Sequence, residues 1–426
     1  MKSNYKKLGD FIQQVKKRNN DNSLTVDNLR GINISKEFMP SVANVTGTDL
    51  SVYKVVEKNQ FAYNPMHVGR DEILPISMLV NEDKVIVSPA YVIFEIVDTD
   101  KLLPEYLMIW CRRSEFDRNA WFTTDSSVRG GFNWEDFCDL ELPVPSIEKQ
   151  KEIIKEYHTI TDRIKLNESL NQKLEDTVQS IFKEWFVNFE FPDENGKPYK
   201  SNGGKMEYSQ YLDKEVPLNS NIDTISELIE DTLGGDWGKD KKEGNYTNKV
   251  LCIRGTDIPN IKTGIFSSMP SRYILDKNLS SKKINSNDIV IEISGGSPIQ
   301  STGRTVLITS KHIENAKCNL ISSNFCKVIS LKKSSFAYYL YNHMNYLYNL
   351  DYMFMYENST TGVKNFNLEH FLIQEYIYIP SETTVLQFNQ YISSILDLIV
   401  SNGLEIESLN QLKILLLSKM TIIEDL

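Results

Sequence analysis

ESLNQ stands at residues 168–172 and again at 407–411, 239 positions later in a chain of 426. A five-residue match gains meaning only if its flanks recur in the same order. They do. FNWEDF at 132–137 is matched by FNLEHF at 366–371, an offset of 234, and NLRGINI at 28–34 by CIRGTDI at 252–258, an offset of 224. Each FN motif leads into an apolar stretch and a proline turn, CDLELPVPSIEKQKEI in the first copy and LIQEYIYIPSETTVLQF in the second. Preserved order with a drifting offset is the mark of two copies of one unit whose loops differ in length. The chain reads as a duplicated pair, not an array.

Each copy opens with short β-branched and aromatic runs, such as KVIVSPAYVIFEIV at 84–97 and DIVIEISGGSPIQSTGRTVLIT at 288–309, bounded by Gly, Pro, Asn and Asp. That is the pattern of a compact β-rich domain. Asn133 and Asn367 stand where a helix N-cap belongs, with Glu135 and Asp136 or Glu369 in the first turn. A long helical pattern follows each proline turn. In the second copy Val385, Ile392, Ile399 and Ile406 share one heptad position and Phe388, Ile395, Leu409 and Leu416 the other, with Asn402 as the polar exception. In the first, Ile153, Tyr157, Ile160 and Ile164 make one stripe and Leu174, Val178, Ile181 and Trp185 another. Ile164, Asn167 and Leu170, spaced three and three, form a stammer between them.

A lone helix with such a stripe cannot bury it, so the two are expected to pair. The interface would comprise Ile153, Ile160, Leu170, Leu174 and Ile181 on one helix and Ile392, Ile399, Ile406, Leu409 and Leu416 on the other. The plainer alternative folds each helix onto its own domain. Asn402 is then either a register-setting polar residue in the seam or part of an interruption at Gly403. The expected class is α+β: two β-rich domains separated by two long antiparallel helices forming a coiled coil, with an internal pseudo-two-fold repeat. Boundaries fall at 1–146 for the first domain, 147–190 for the first helix, 191–206 for a Gly/Pro/Asn/Lys-rich linker, 207–380 for the second domain and 381–426 for the second helix.

Composition limits the function. No stretch of eighteen apolar residues exists, and MKSNYKKLGD lacks the apolar core of a signal peptide, so a cytoplasmic protein with no membrane partner is expected. Five scattered cysteines without C-x-x-C and five scattered histidines predict buried thiols and no metal. Net charge is −10, but residues 207–380 carry 18 basic and 19 acidic groups, which leaves room for a sorted basic face.

Catalytic motifs are absent. GGDWGKD at 234–240 is one residue short of a phosphate-binding loop, has Asp240 in place of the Mg²⁺-binding hydroxyl, and follows ISELIEDTL, which reads as helical. GGSPIQSTGR at 295–304 reads as a hairpin loop, and the acidic PDENGK at 192–197 as a turn at Asn195-Gly196. Neither a dinucleotide fingerprint nor a nucleophile-and-base arrangement can be drawn. No cofactor is expected, and the residues point to a protein that binds.

The order of parts, with KLGDFI at 7–12, FAYNPMHVGR at 61–70, VSPAYVIFEI at 87–96, LPVPSIEKQKEI at 142–153 and GRTVLI at 303–308, resembles the specificity subunits of type I restriction-modification enzymes. The resemblance covers almost the whole chain. It implies two target-recognition domains, each reading one part of a bipartite site in double-stranded DNA, and two helices that measure the gap. It also implies docking of two adenine methyltransferase subunits, to which motor-nuclease subunits add, and no catalysis by the subunit itself. The second proline turn lacks the Glu-Lys-Gln of the first, so partner contacts there are expected to differ. A coiled-coil adaptor whose β-rich domains bind protein partners is the competing reading.

Base edges are read by a few donors and acceptors while phosphate contacts fix register. Asn64, held extended by Pro65, is expected to project with His67 and Arg70 from one loop, and Arg129 from another. Arg254, Lys262, Arg304 and Lys364 occupy comparable loops of the second copy. For each, a solvated charge or a local hydrogen bond is the plainer role. Arg30 and Arg254, each before Gly, recur between copies and are equally readable as parts of the shared fold. Trp237 is either a stacking wedge or, more simply, core.

Overall fold

The structure is a computed structural model that describes residues 5–43, 47–66, 72–123, 131–295, 300–360 and 363–420. The chain divides into two compact units, Met1–Arg163 with Leu409–Leu426, and Ile164–Ser408.

Unit 1 is built on a four-stranded antiparallel sheet of β1 (Ile12–Val15), β2 (Phe61–Tyr63), β3 (Ile76–Met78) and β4 (Val92–Ile96), in the order β1-β4-β2-β3. Unit 2 contains β5 (Ile229–Gly234), β6 (Ile289–Glu292), β7 (Thr305–Leu307) and β8 (Cys326–Leu331), in the order β5-β8-β6-β7, again antiparallel throughout. The two orders are the same once sequence position is discounted. The duplication inferred from short motifs is therefore a duplication of topology. ISELIEDTL is not helical: Ile225–Leu228 makes one 3-10 turn and β5 follows as an edge strand. Pairing with β8 along its length outweighs local helix preference there.

Each sheet is backed by aromatic packing that the FN motifs complete. In unit 1 the rings of Phe61 and Phe94 stack at 4.8 Å and Tyr63 meets Phe137 at 4.9 Å. In unit 2 Phe366 meets Phe371 at 5.3 Å and Tyr356 meets Phe371 at 5.0 Å. Both predicted caps form: the Asn133 side chain accepts from the Asp136 amide at 2.8 Å, and that of Asn367 from the His370 amide at 3.1 Å. In the linker, the Asp193 carboxylate accepts from the amides of Asn195 and Lys197, and Gly196 takes a positive φ, so PDENGK is a closed turn.

The long helices are α1 (Ile147–Phe182) and α2 (Glu382–Lys419). Both start from the serine that follows the proline turn: Ser146 Oγ accepts from the Lys149 amide at 3.3 Å and Ser381 Oγ from the Thr384 amide at 3.1 Å. In unit 1, Ile153 of α1 shares a core with Leu417 of α2 and Met420 just beyond it. In unit 2, Phe182 lies 6.3 Å from Phe388, and the Asn171 side chain contacts Ile399 and Asn402. Rising numbers on α1 meet falling numbers on α2 in unit 2, so the paired segments there are antiparallel. The helices pack on one another and on the domains, which joins the two alternatives the sequence left open.

Leu170 departs from expectation. It is 38% exposed, and the inward stripe runs Ile164, Asn167, Asn171 instead. Spacing of three and four restores heptad phase, so no stammer occurs. The physical reason is the partner of Asn171: Asn402 Nδ2 donates to Asn171 Oδ1 at 2.8 Å, and Asn171 Nδ2 donates to the Ile399 carbonyl at 3.2 Å. Helix α2 is continuous through Asn402 and Gly403. Of the remaining interface expectations, Ile153, Ile392, Ile399 and Ile406 are buried, and Ile160, Leu174, Ile181, Leu409 and Leu416 are half-buried.

Candidate nucleic-acid interface

Strand register decides which loops share an end of each sheet. In unit 1 Val15 pairs with Ile93 while Tyr63 pairs with both Val92 and Ile76. The chain therefore leaves β1 at Lys16 and β2 at Asn64 on the same side. In unit 2 Gly234 pairs with Lys327, Glu292 with Cys326 and Ile291 with Thr305, so GGDWGKD and the β6–β7 loop emerge together in the same way. One backbone bond recurs at this end. The Phe132 amide donates to the Pro65 carbonyl at 3.1 Å, and the Phe366 amide to the Ile293 carbonyl at 2.9 Å, tying the loop after the second strand to the loop before the FN helix in each unit.

Among the unit 1 candidates, His67, Arg70 and Arg129 lie outside the described residues. Asn64 does not project as expected: its side chain turns back to accept from the Met66 amide at 3.0 Å, an Asx turn that caps the start of the loop. The far side of that loop is fastened by Asp117, whose carboxylate accepts from the Leu74 amide at 3.1 Å and pairs with buried Lys36 at 2.7 Å. No sequence signal pointed to this Lys36–Asp117 pair.

Unit 2 gathers three of its four candidates around one cleft of about 710 Å³. Arg304 and Arg254 line it, and Lys364, paired in register with Gly295, donates to the Gln300 carbonyl at 3.3 Å on its rim. Each guanidinium is already engaged. Arg304 makes a two-pronged pair with buried Glu292 at 2.8 and 2.7 Å, and Arg254 does the same with buried Asp257 at 2.8 Å on both prongs. These bonds hold both arginines above their usual pKa range, permanently charged and fixed in place. Gly255 is required at the cleft wall because a Cβ there would lie 2.3 Å from the Glu292 carboxylate. Arg30 is also held by a two-pronged pair, with Glu82 at 2.8 and 2.6 Å, a partner at a different place in the chain from that of Arg254.

Lys262 is not part of the cleft. Its ammonium is turned inward to Asn345 Oδ1 at 3.1 Å, which removes it from any outward-facing loop. Trp237 is not core either: it is 39% exposed, with the Arg272 guanidinium over its ring at 4.2 Å, and it forms a wall of the cleft. Phe325, 60% exposed, and the amides of Gln300 and Asn324 are the groups sequence reading missed. They stand in turns without a repeat partner, and only the register of β6 and β8 brings them together. With its arginines neutralised by carboxylates, the cleft offers aromatic faces and uncharged donors and acceptors, a chemistry suited to planar heterocycle edges.

Among the described residues no helix is long and apolar enough to cross a membrane, and no cluster of metal-ligating side chains occurs. No family model matches the chain. Over 190 residues, 43% of its length, the chain is 25% identical to the HindI specificity subunit of a type I restriction enzyme from Haemophilus influenzae, covering 40% of that relative. Over 341 residues, 76% of its length, it is 21% identical to the MjaIX specificity subunit of a type I restriction enzyme from Methanocaldococcus jannaschii, covering 70% of that relative. Its fold is that of the type I restriction-modification S subunit from M. genitalium, at a TM-score of 0.57 and 12% identity over 99% of this chain and 96% of the other.

Proposed function

We propose that this chain is the non-catalytic DNA-recognition subunit of a type I restriction-modification enzyme. One observation carries the reading: two unlike copies of a single four-stranded sheet present different loops at the same end, and both copies contribute a long helix to a shared antiparallel seam. In this reading each sheet end reads one half of a bipartite duplex site. The Asn64–Arg70 loop with Arg129 serves one half, and the cleft walled by Trp237, Gln300, Asn324 and Phe325, with Arg304 and Lys364 fixing its shape, serves the other. Dissimilar loops on a repeated scaffold give two different half-sites.

Two adenine-methylating subunits and the motor-nuclease subunits are the partners this reading assigns, with catalysis residing in them. Co-expression tests it. The chain should co-purify with its cognate adenine methyltransferase, and the assembly should methylate duplex DNA while neither component does so alone. Purification without any methyltransferase, but with another protein held through the β-rich units, would establish the adaptor reading in its place.

A further inference from the structure

We infer that Lys16, Lys17 and Arg18, with Lys54 beside them, form the phosphate-backbone contact of unit 1. The inference rests on the DNA-recognition reading and extends it by assigning a surface that reads no sequence. Residues 1–146 carry 17 basic and 21 acidic groups, so this half of the chain has no overall attraction for a polyanion and must concentrate its cations locally. Lys16, Lys17 and Arg18 are one such concentration. The basic run follows β1 directly, at the sheet end where Asn64 leaves β2.

The run is held against the strand Lys54–Glu57: Arg18 bridges to Lys54, and the Val55 amide donates to the Lys17 carbonyl at 3.0 Å. The Lys54 ammonium reaches the Tyr91 carbonyl at 2.5 Å, immediately before β4 and again at that end. Lys84 joins from the neighbouring strand and shares Glu57 with Lys17, at 3.2 and 2.8 Å. Among the described residues Glu57 pairs with two of these five cations, Lys17 and Lys84. Lys16 and Arg18 are exposed and have no carboxylate partner among the described residues. Burial, together with the charges of Arg18 and Lys16, holds Lys54 below the usual lysine range, the electrostatic cost of such crowding. A ridge of exposed like charges along a strand edge matches a row of phosphates better than any single small anion. The equivalent exit in unit 2, Gly234-Gly235-Asp236-Trp237, contains no basic residue of its own, and the cations that reach it, Arg272 and Lys282, donate to its Trp237 and Gly235 carbonyls.

The test uses the full chain assembled with its methyltransferase subunits and a mixed-sequence duplex DNA, with affinity measured across a KCl series. Replacing Lys16, Lys17 and Arg18 together by Gln should lower the slope of log K against log [salt] by about 2–3, since each phosphate contact contributes ~0.9. Affinity should fall by the same factor on every sequence. The double variant Lys16→Gln, Arg18→Gln leaves the Glu57 pairs intact and should lower the slope by about 2. Lys101→Gln, beyond the opposite end of β4, should leave it unchanged. A wild-type slope in the triple variant, with normal thermal unfolding, overturns the ridge and leaves the recognition reading standing. An assembly whose wild-type form shows no salt-dependent DNA binding overturns the recognition reading, and the ridge with it.

Discussion

A methyl group at position 403 would sit 1.7 Å from the Thr263 carbonyl oxygen, closer than any two non-bonded atoms approach. Gly403→Ala should therefore prise the 263–264 turn from α2 and destabilise unit 2 by about 1–3 kcal/mol, read by chemical denaturation; an unchanged midpoint would mean the turn does not rest there. Asp117→Ala leaves Lys36 buried without its counter-charge and should cost unit 1 about 3–5 kcal/mol. His312 offers a pH test. It is buried, accepts from the Thr309 amide at 3.2 Å, lies 3.0 Å from the Ile261 carbonyl, and burial pushes its pKa down to about 4. Because the unfolded chain binds this proton near pH 6.5 and the folded chain does not, stability present above that pH is lost as pH falls toward 4. The loss is about 3 kcal/mol at most from this group. His312→Gln should flatten that part of the profile; an equally steep fall would assign the loss elsewhere. None of these three residues was legible in sequence. The partners of Gly403 and Asp117 lie far along the chain, and a single histidine carries no pattern.

At the scale of the element, the Asn171–Asn402 bond is the seam's register lock. Asn402→Leu strands a buried amide and should cost about 1–3 kcal/mol, whereas pairing it with Asn171→Leu should recover much of that while loosening register. A double-mutant cycle with no coupling would show that the bond does not set the register. Helix α2 could be read from its heptads because Val385, Ile392, Ile399 and Ile406 keep one position apolar through four repeats, with Asn402 the single break at the other. Helix α1 could not be phased correctly, since Leu170 and Asn171 are adjacent and hydrophobicity alone chooses the leucine. Only the partner across the seam shows that the asparagine faces inward. The same limit applies to β5, where Ile225-Ser-Glu-Leu-Ile has helical character that pairing with β8 overrides.

For the whole molecule, duplication was legible because motif order survives in the sequence while loop length does not matter to it. Strand order was not, and it is strand order that brings Lys16 to Asn64 and Trp237 to Arg304. The candidate site was read in part. Of the four basic residues expected in comparable loops of the second copy, Arg254, Arg304 and Lys364 lie around one cleft and Lys262 does not, and the charges of the three are engaged by Asp257, Glu292 and Glu357. Uncharged groups and aromatic faces remain for contact. In the proposed function, two sheet ends read two halves of one DNA site on behalf of a methylating assembly. Adenine methylation mapped across the host genome, with and without this gene, tests it most directly. A single bipartite motif, two short specified blocks around a fixed gap, should lose its methylation when the gene is deleted. An unchanged methylation map, or loss at an undivided site, contradicts it.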